Sequence, residues 1–104
     1  MKRMTLLSIG LGLIAMGLVA AAPPAADTFK ARCAGCHGPD GSGQTAMGKA
    51  MKIRDLRSPE VQAASDADLE ALIANGKKPM PANPNMDAAT IHALVEHIRS
   101  LAKK

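Results

Sequence analysis

Two cysteines and a histidine stand together at Cys33-Ala34-Gly35-Cys36-His37, and the chain has no other cysteine. Two thiols separated by two residues and followed at once by an imidazole form the C-x-x-C-H pattern of covalent haem attachment. The spacing has a chemical reason. Thiols at that separation reach the two vinyl edges of one porphyrin as thioethers, and the adjacent imidazole then lies under the iron as an axial ligand. The rival uses of these residues fit less well. A thioredoxin-like pair needs a βαβ context, and no β-branched run precedes Cys33. A structural zinc site needs four ligands, whereas His92 and His97 lie far off without a matching pair spacing. A disulfide between Cys33 and Cys36 would close a very short loop and stabilise little. Haem attachment is the reading that uses all three residues.

A haem iron with one histidine needs a second ligand or keeps an open position, and that choice separates a carrier from a catalyst. Met80 is the leading candidate, set in Pro79-Met80-Pro81. Proline on both sides leaves the backbone little freedom to lose when the thioether is presented. A thioether suits an electron-transfer haem and raises its potential. The competing role for a loop methionine is space filling. Met47 and Met51 come next as ligands and are expected in the pocket wall, while Met86 is placed to pack at a helix entry.

The elements that must position these groups are helical. A first helix is expected over Ala26 to about Ala34, with Phe29 and Cys33 on one face, and the turn-rich Gly38-Pro39-Asp40-Gly41-Ser42-Gly43 follows it. Thr45 to Leu56 fits either a short helix or a loop. Ser58-Pro59-Glu60 reads as a helix start, as does Ser65-Asp66-Ala67-Asp68, whose helix carries Leu69, Leu72 and Ile73 and stops at Asn75-Gly76. Three prolines between Pro79 and Pro84 forbid regular helix there. The last helix opens at Asp87 with Met86 and Ile91 as a hydrophobic staple, and Ile91, Leu94, Val95, Ile98 and Leu101 share one face. No strand and no internal repeat is expected.

Residues 1–21 read as a signal peptide: a basic Met1-Lys2-Arg3, an uncharged apolar run from Leu6 to Val19, and small residues suited to cleavage after Ala21. An uncleaved anchor is the alternative, but the apolar run is short of the roughly 20 residues of a membrane span. Residues 22–104 then form one domain of about 80 residues. It contains a single aromatic residue, Phe29, and a chain this small struggles to build a core unaided. A buried porphyrin would supply the missing apolar plate. Removing Lys2 and Arg3 lowers the formal charge from +4 to +2. No aromatic–basic interleaving exists to stack bases, so nucleic acid is not an expected partner.

The domain resembles the small class I c-type cytochromes, the monohaem soluble carriers of bacterial and photosynthetic type. The matching residues are Phe29-x-x-x-Cys33-x-x-Cys36-His37-Gly38, Gly41-x-Gly43, Asp55-Leu56-x-Ser58-Pro59-Glu60-Val61-Gln62, Ser65-Asp66-x-x-Leu69, Gly76-Lys77-Lys78-Pro79-Met80-Pro81-Ala82 and Ile91-x-x-Leu94-Val95-x-x-Ile98-Arg99-x-Leu101. The resemblance implies an all-α fold with the first and last helices crossed around one haem c, covalently bound through Cys33 and Cys36 with His37 and Met80 as axial ligands. With the leader pointing to the periplasm, the expected protein is a monomeric periplasmic electron carrier meeting redox partner proteins, neither an enzyme nor membrane-bound once the leader is gone. Two departures stand out. His97 occupies a position where the family usually has an aromatic residue, and tyrosine and tryptophan are absent. His97 is expected as a packing substitute and His92 as a solvated residue. The remaining alternatives are a haem subunit of a periplasmic dehydrogenase complex and a five-coordinate haem acting on peroxide or binding diatomic gases.

Overall fold

The computed structural model describes residues 24–104 together with Gly10 and Gly12. The expected leader, residues 1–21, and its cleavage point otherwise lie outside the described residues. Six helices follow in order: α1 (Ala25–Arg32), α2 (Ala34–His37), α3 (Ala46–Ala50), α4 (Pro59–Gln62), α5 (Asp66–Asn75) and α6 (Ala88–Leu101). Among the described residues there is no strand, only an isolated antiparallel bridge between Lys77 and Met80.

Four of these helices begin where a side-chain oxygen accepts a hydrogen bond from a first-turn N–H, the bond that satisfies a donor without an intrahelical partner. Thr45 Oγ1 accepts from Gly48 N at 2.8 Å, Ser58 Oγ from Val61 N at 3.3 Å, Ser65 Oγ from Asp68 N at 3.1 Å and Asp87 Oδ1 from Thr90 N at 2.7 Å. The last three are the starts read from the sequence. The expected first helix, by contrast, is two. α1 ends at Arg32, Cys33 leaves helical values at φ −117°, and one further turn, α2, carries the chain to His37. Cys33 nevertheless keeps the helical bond from its N–H to Phe29 O at 2.8 Å, and its own carbonyl accepts from the N–H groups of Cys36 and His37. The result is a kinked continuation, closed by Gly38 at φ +82°, a conformation that favours glycine.

α6 is the central post, with α1 and α5 both packed on it. Phe29 from α1, Leu69 and Ile73 from α5, and Ile91, Leu94, Val95, Ile98 and Leu101 from α6 make one buried cluster, in which Leu94 and Val95 are each 1% exposed. The apolar stripe of the last helix is therefore the core, as its period predicted. Met86 packs against the same cluster, in keeping with its place ahead of Asp87.

Two polar side chains tie the middle of the chain to α6. Gln62 Nε2 donates to the carbonyls of Leu56 at 2.8 Å and Ile98 at 3.2 Å. Arg99 donates to the carbonyls of Gln62 at 2.9 Å and Ala64 at 2.6 Å and pairs with Asp66 at 2.8 Å. The Arg99 bonds take up carbonyls at and just beyond the end of α4, which a four-residue helix cannot satisfy internally.

Candidate functional site

Cys33, His37 and Met80 line one apolar cleft. α1 contributes Phe29 to its walls, the loop before α4 contributes Leu56, α5 contributes Leu69, Leu72 and Ile73, and α6 contributes Leu94 and Ile98. The cleft is thus a side of the hydrophobic core, held open at the C-x-x-C-H turn on one edge and the Met80 loop on another. Cys36 is half-buried in α2 but does not line it. Met47 and Met51 depart from expectation. Neither lines this cleft, and they are 46% and 40% exposed, while α3 turns Gly48 toward the backbone of the motif.

The donors in and beside the cleft are those of a haem site. Cys33 and Cys36 are free thiols. Burial pushes the Cys33 thiol above its ordinary pKa, opposed by Arg32 and reinforced by Cys36, so it is held protonated. Burial pushes His37 below its ordinary pKa, which keeps the imidazole neutral, the form that donates to a metal. His37 Nδ1 is buried with no hydrogen-bond partner, the one such side-chain atom among the described residues. A buried polar atom left unpaired is costly, and here it belongs to the residue expected to ligate iron. One thiol, a neutral imidazole and a thioether in the apolar cleft, with the second thiol three residues along the same turn, fit a covalently bound haem.

The Met80 loop is held from behind. Gly76 N donates to Leu72 O at 2.9 Å, ending α5, and Lys77 and Met80 exchange backbone hydrogen bonds at 3.0 and 2.7 Å. Asn83 then closes the segment, its N–H donating to Ala74 O at 3.1 Å and its Nδ2 to Ile73 O at 2.8 Å. The sequence analysis missed Asn83. Its position between two prolines marks a turn, but only the fold shows that its amide reaches the end of α5.

His97 lies half-buried with its ring centroid 5.0 Å from that of Phe29 and the planes tilted by 49°. It fills the aromatic position at the contact of α1 with α6, as expected of a packing substitute. Its pKa is lowered first by burial and then by Lys104. His92 is exposed, as expected of a solvated helix residue, and also links α5 to α6. Its Nδ1 meets Glu70 at 2.9 Å and its Nε2 meets Glu96 at 3.2 Å, and these carboxylates raise its pKa.

The two histidines pull pH dependence in opposite directions. Below about 6.5 the unfolded chain takes a proton that folded His97 resists, so its contribution falls as pH drops toward the lowered folded value. His92 is more basic folded than unfolded, so its contribution is intact below about 6.5 and is lost as pH rises through the raised value. Thermal melts between about pH 5 and 8 should show His97→Phe reducing the acid-side loss, to which buried His37 also contributes, and His92→Gln removing the opposite slope. Parallel curves for His97→Phe and the parent would refute the first assignment.

Comparison with known proteins places the geometry. A family model described as cytochrome C oxidase, cbb3-type, subunit III matches residues 20–98. Among solved structures, the KustC0563 c-type cytochrome is similar with a TM-score of 0.68 and 26% sequence identity, covering 76% of this chain and 98% of that one. No curated protein matches the chain.

Proposed function

Because the chain belongs to the c-type cytochrome family described as cytochrome C oxidase, cbb3-type, subunit III, we propose that it is a periplasmic one-electron carrier ligated by His37 and Met80. Members of this family carry covalently bound haem c and transfer electrons, and Cys33 and Cys36 are the two thiols this chain has for the thioethers. The observation that carries the ligation is the meeting of Cys33, His37 and Met80 in one cleft, with an unpaired buried nitrogen on the imidazole. When bound, the haem supplies a metal that cycles between ferrous and ferric states. The chain does the rest. His37 offers a neutral imidazole, the clamped loop presents the Met80 thioether, and Leu69, Ile73, Leu94 and Ile98 exclude water from the interior.

Export to the periplasm rests on the basic and apolar leader of residues 1–21 and on the habit of c-type cytochromes to be exported. No helix among the described residues is long and apolar enough to cross a membrane. The decisive experiment is the ferric absorption spectrum of the purified haem protein. An iron–thioether charge-transfer band at neutral pH that vanishes in Met80→Ala supports the carrier. High-spin iron in the unaltered protein would instead favour the open-site alternative.

Lys77 and Lys78 are exposed beside Met80, and Lys49 and Lys52 are exposed at α3. Cations around the site of transfer steer an acidic redox partner toward it. The Lys77→Glu/Lys78→Glu protein should therefore be oxidised by ferricyanide, an anionic probe, at least about threefold more slowly at low ionic strength. The deficit should disappear at high salt. An unchanged rate at low salt would leave these lysines as solubilising residues only.

The family description names an oxidase subunit, which favours one second reading, a haem subunit held in a larger complex. Native periplasmic extracts separate the two, since a subunit co-purifies with its enzyme and a shuttle does not.

A further inference from the structure

Thr45 lies nine residues beyond Cys36, outside the haem motif, yet its hydroxyl donates to the Cys36 carbonyl at 2.6 Å. That carbonyl belongs to the peptide unit joining Cys36 to His37. The peptide unit on the other side of His37 is held as well, because Gly43 N donates to His37 O at 2.7 Å. Both planes that set the direction of the His37 side chain are thus pinned from the segment 43–45. The Gly43 bond is backbone and survives any side-chain change. The other depends on a single hydroxyl.

The same oxygen accepts from Gly48 N at 2.8 Å and starts α3. One hydroxyl can give its proton and accept on a lone pair together, so it closes α2 and opens α3 at once. α3 is seated so closely on the motif that a Cβ on Gly48 would lie 2.8 Å from Cys36 O. From this geometry we propose that Thr45 is a positioning residue for His37, fixing the imidazole relative to the haem by anchoring the Cys36–His37 peptide. The proposal rests on the reading of His37 as an axial ligand.

The test compares the ferric haem proteins carrying Thr45→Val, Thr45→Ser and Ser65→Ala with the parent. Valine keeps the shape and removes the hydroxyl, so the Cys36 carbonyl and Gly48 N–H both lose their partner. Serine keeps both bonds. Ser65→Ala removes a helix cap of the same kind at α5, away from the motif, and controls for simple loss of stability. The readouts are the paramagnetically shifted proton resonances of the His37 ring and haem methyls, and the midpoint potential.

Thr45→Val should change the shifted resonances and alter the oxidised-to-reduced ratio at fixed potential by about threefold, roughly 30 mV for one electron. Thr45→Ser should restore both, and Ser65→Ala should lower stability while leaving both alone. A parental resonance pattern and potential in Thr45→Val would overturn the proposal, whatever happens to stability. If Thr45→Val yields no haem protein, Thr45→Asp serves, since it still caps α3 but has no proton for Cys36 O. An unaltered His37 pattern there overturns the proposal equally. Absence of any His37 ligand resonance in the parent would refute the ligation itself, a failure distinct from that of Thr45.

Discussion

Met80→Ala should lower the midpoint potential by on the order of 0.2 V, a fraction of the ~0.8 V range that axial ligands command. A thioether is a soft donor that favours the ferrous state, and its loss leaves water or an empty position in its place. If Met80 ligates the iron, the same protein should bind carbon monoxide in the ferrous form, which the parent would resist. The loop that would present the thioether is firmly held. Met80 is fixed by reciprocal backbone bonds with Lys77, and its loop is closed onto the end of α5 by Asn83. Exposed neighbours Pro79 and Pro81 add stiffness without taking up cleft surface. Potentiometry and a carbon monoxide titration check both effects together. An unchanged potential in Met80→Ala would remove Met80 from the iron.

Gly48→Ala should destabilise the haem protein by about 2 kcal/mol, whereas Gly35→Ala should leave it unharmed or slightly more stable. Both glycines lie in helices, where alanine is intrinsically better by about 1 kcal/mol. Packing decides the sign. A methyl on Gly48 would collide with the carbonyl oxygen of Gly43 and lie 2.8 Å from that of Cys36. Those obstacles are backbone atoms and cannot swing aside, so overpacking of about 3 kcal/mol outweighs the helical gain. A methyl on Gly35 meets nothing within 4 Å. Chemical denaturation of the two variants measures the contrast directly. Equal stability for both would mean that α3 is not seated on the motif as described.

The glycine pair illustrates a wider division. Local signals were readable because their physics is local. Ser58, Ser65 and Asp87 cap helices through bonds to N–H groups three residues ahead, and the spacing of Ile91, Leu94, Val95, Ile98 and Leu101 is the helical period itself. The C-x-x-C-H unit carries its chemistry within five residues, and Pro79-Met80-Pro81 restricts its own backbone. Nothing local announced the kink at Cys33, where the motif bends away from α1. Met47 and Met51 lie close to the motif in sequence, yet they do not line the cleft, and the side of α3 against the motif is taken by Gly48 beside two carbonyls.

From the sequence alone came the helical class, the haem-bearing cysteines, the candidate ligands His37 and Met80, and the core face of the last helix. The tertiary structure alone decided which distant groups meet: the Thr45 hydroxyl and the Cys36 carbonyl, the Asn83 amide and the Ile73 carbonyl, and the Gln62 and Arg99 bonds between α4 and α6. The reason is the directionality of hydrogen bonds. Apolar burial follows periodicity and needs no particular partner, whereas a buried carbonyl must be met at one distance and angle. Which side chain arrives there depends on how the helices are stacked.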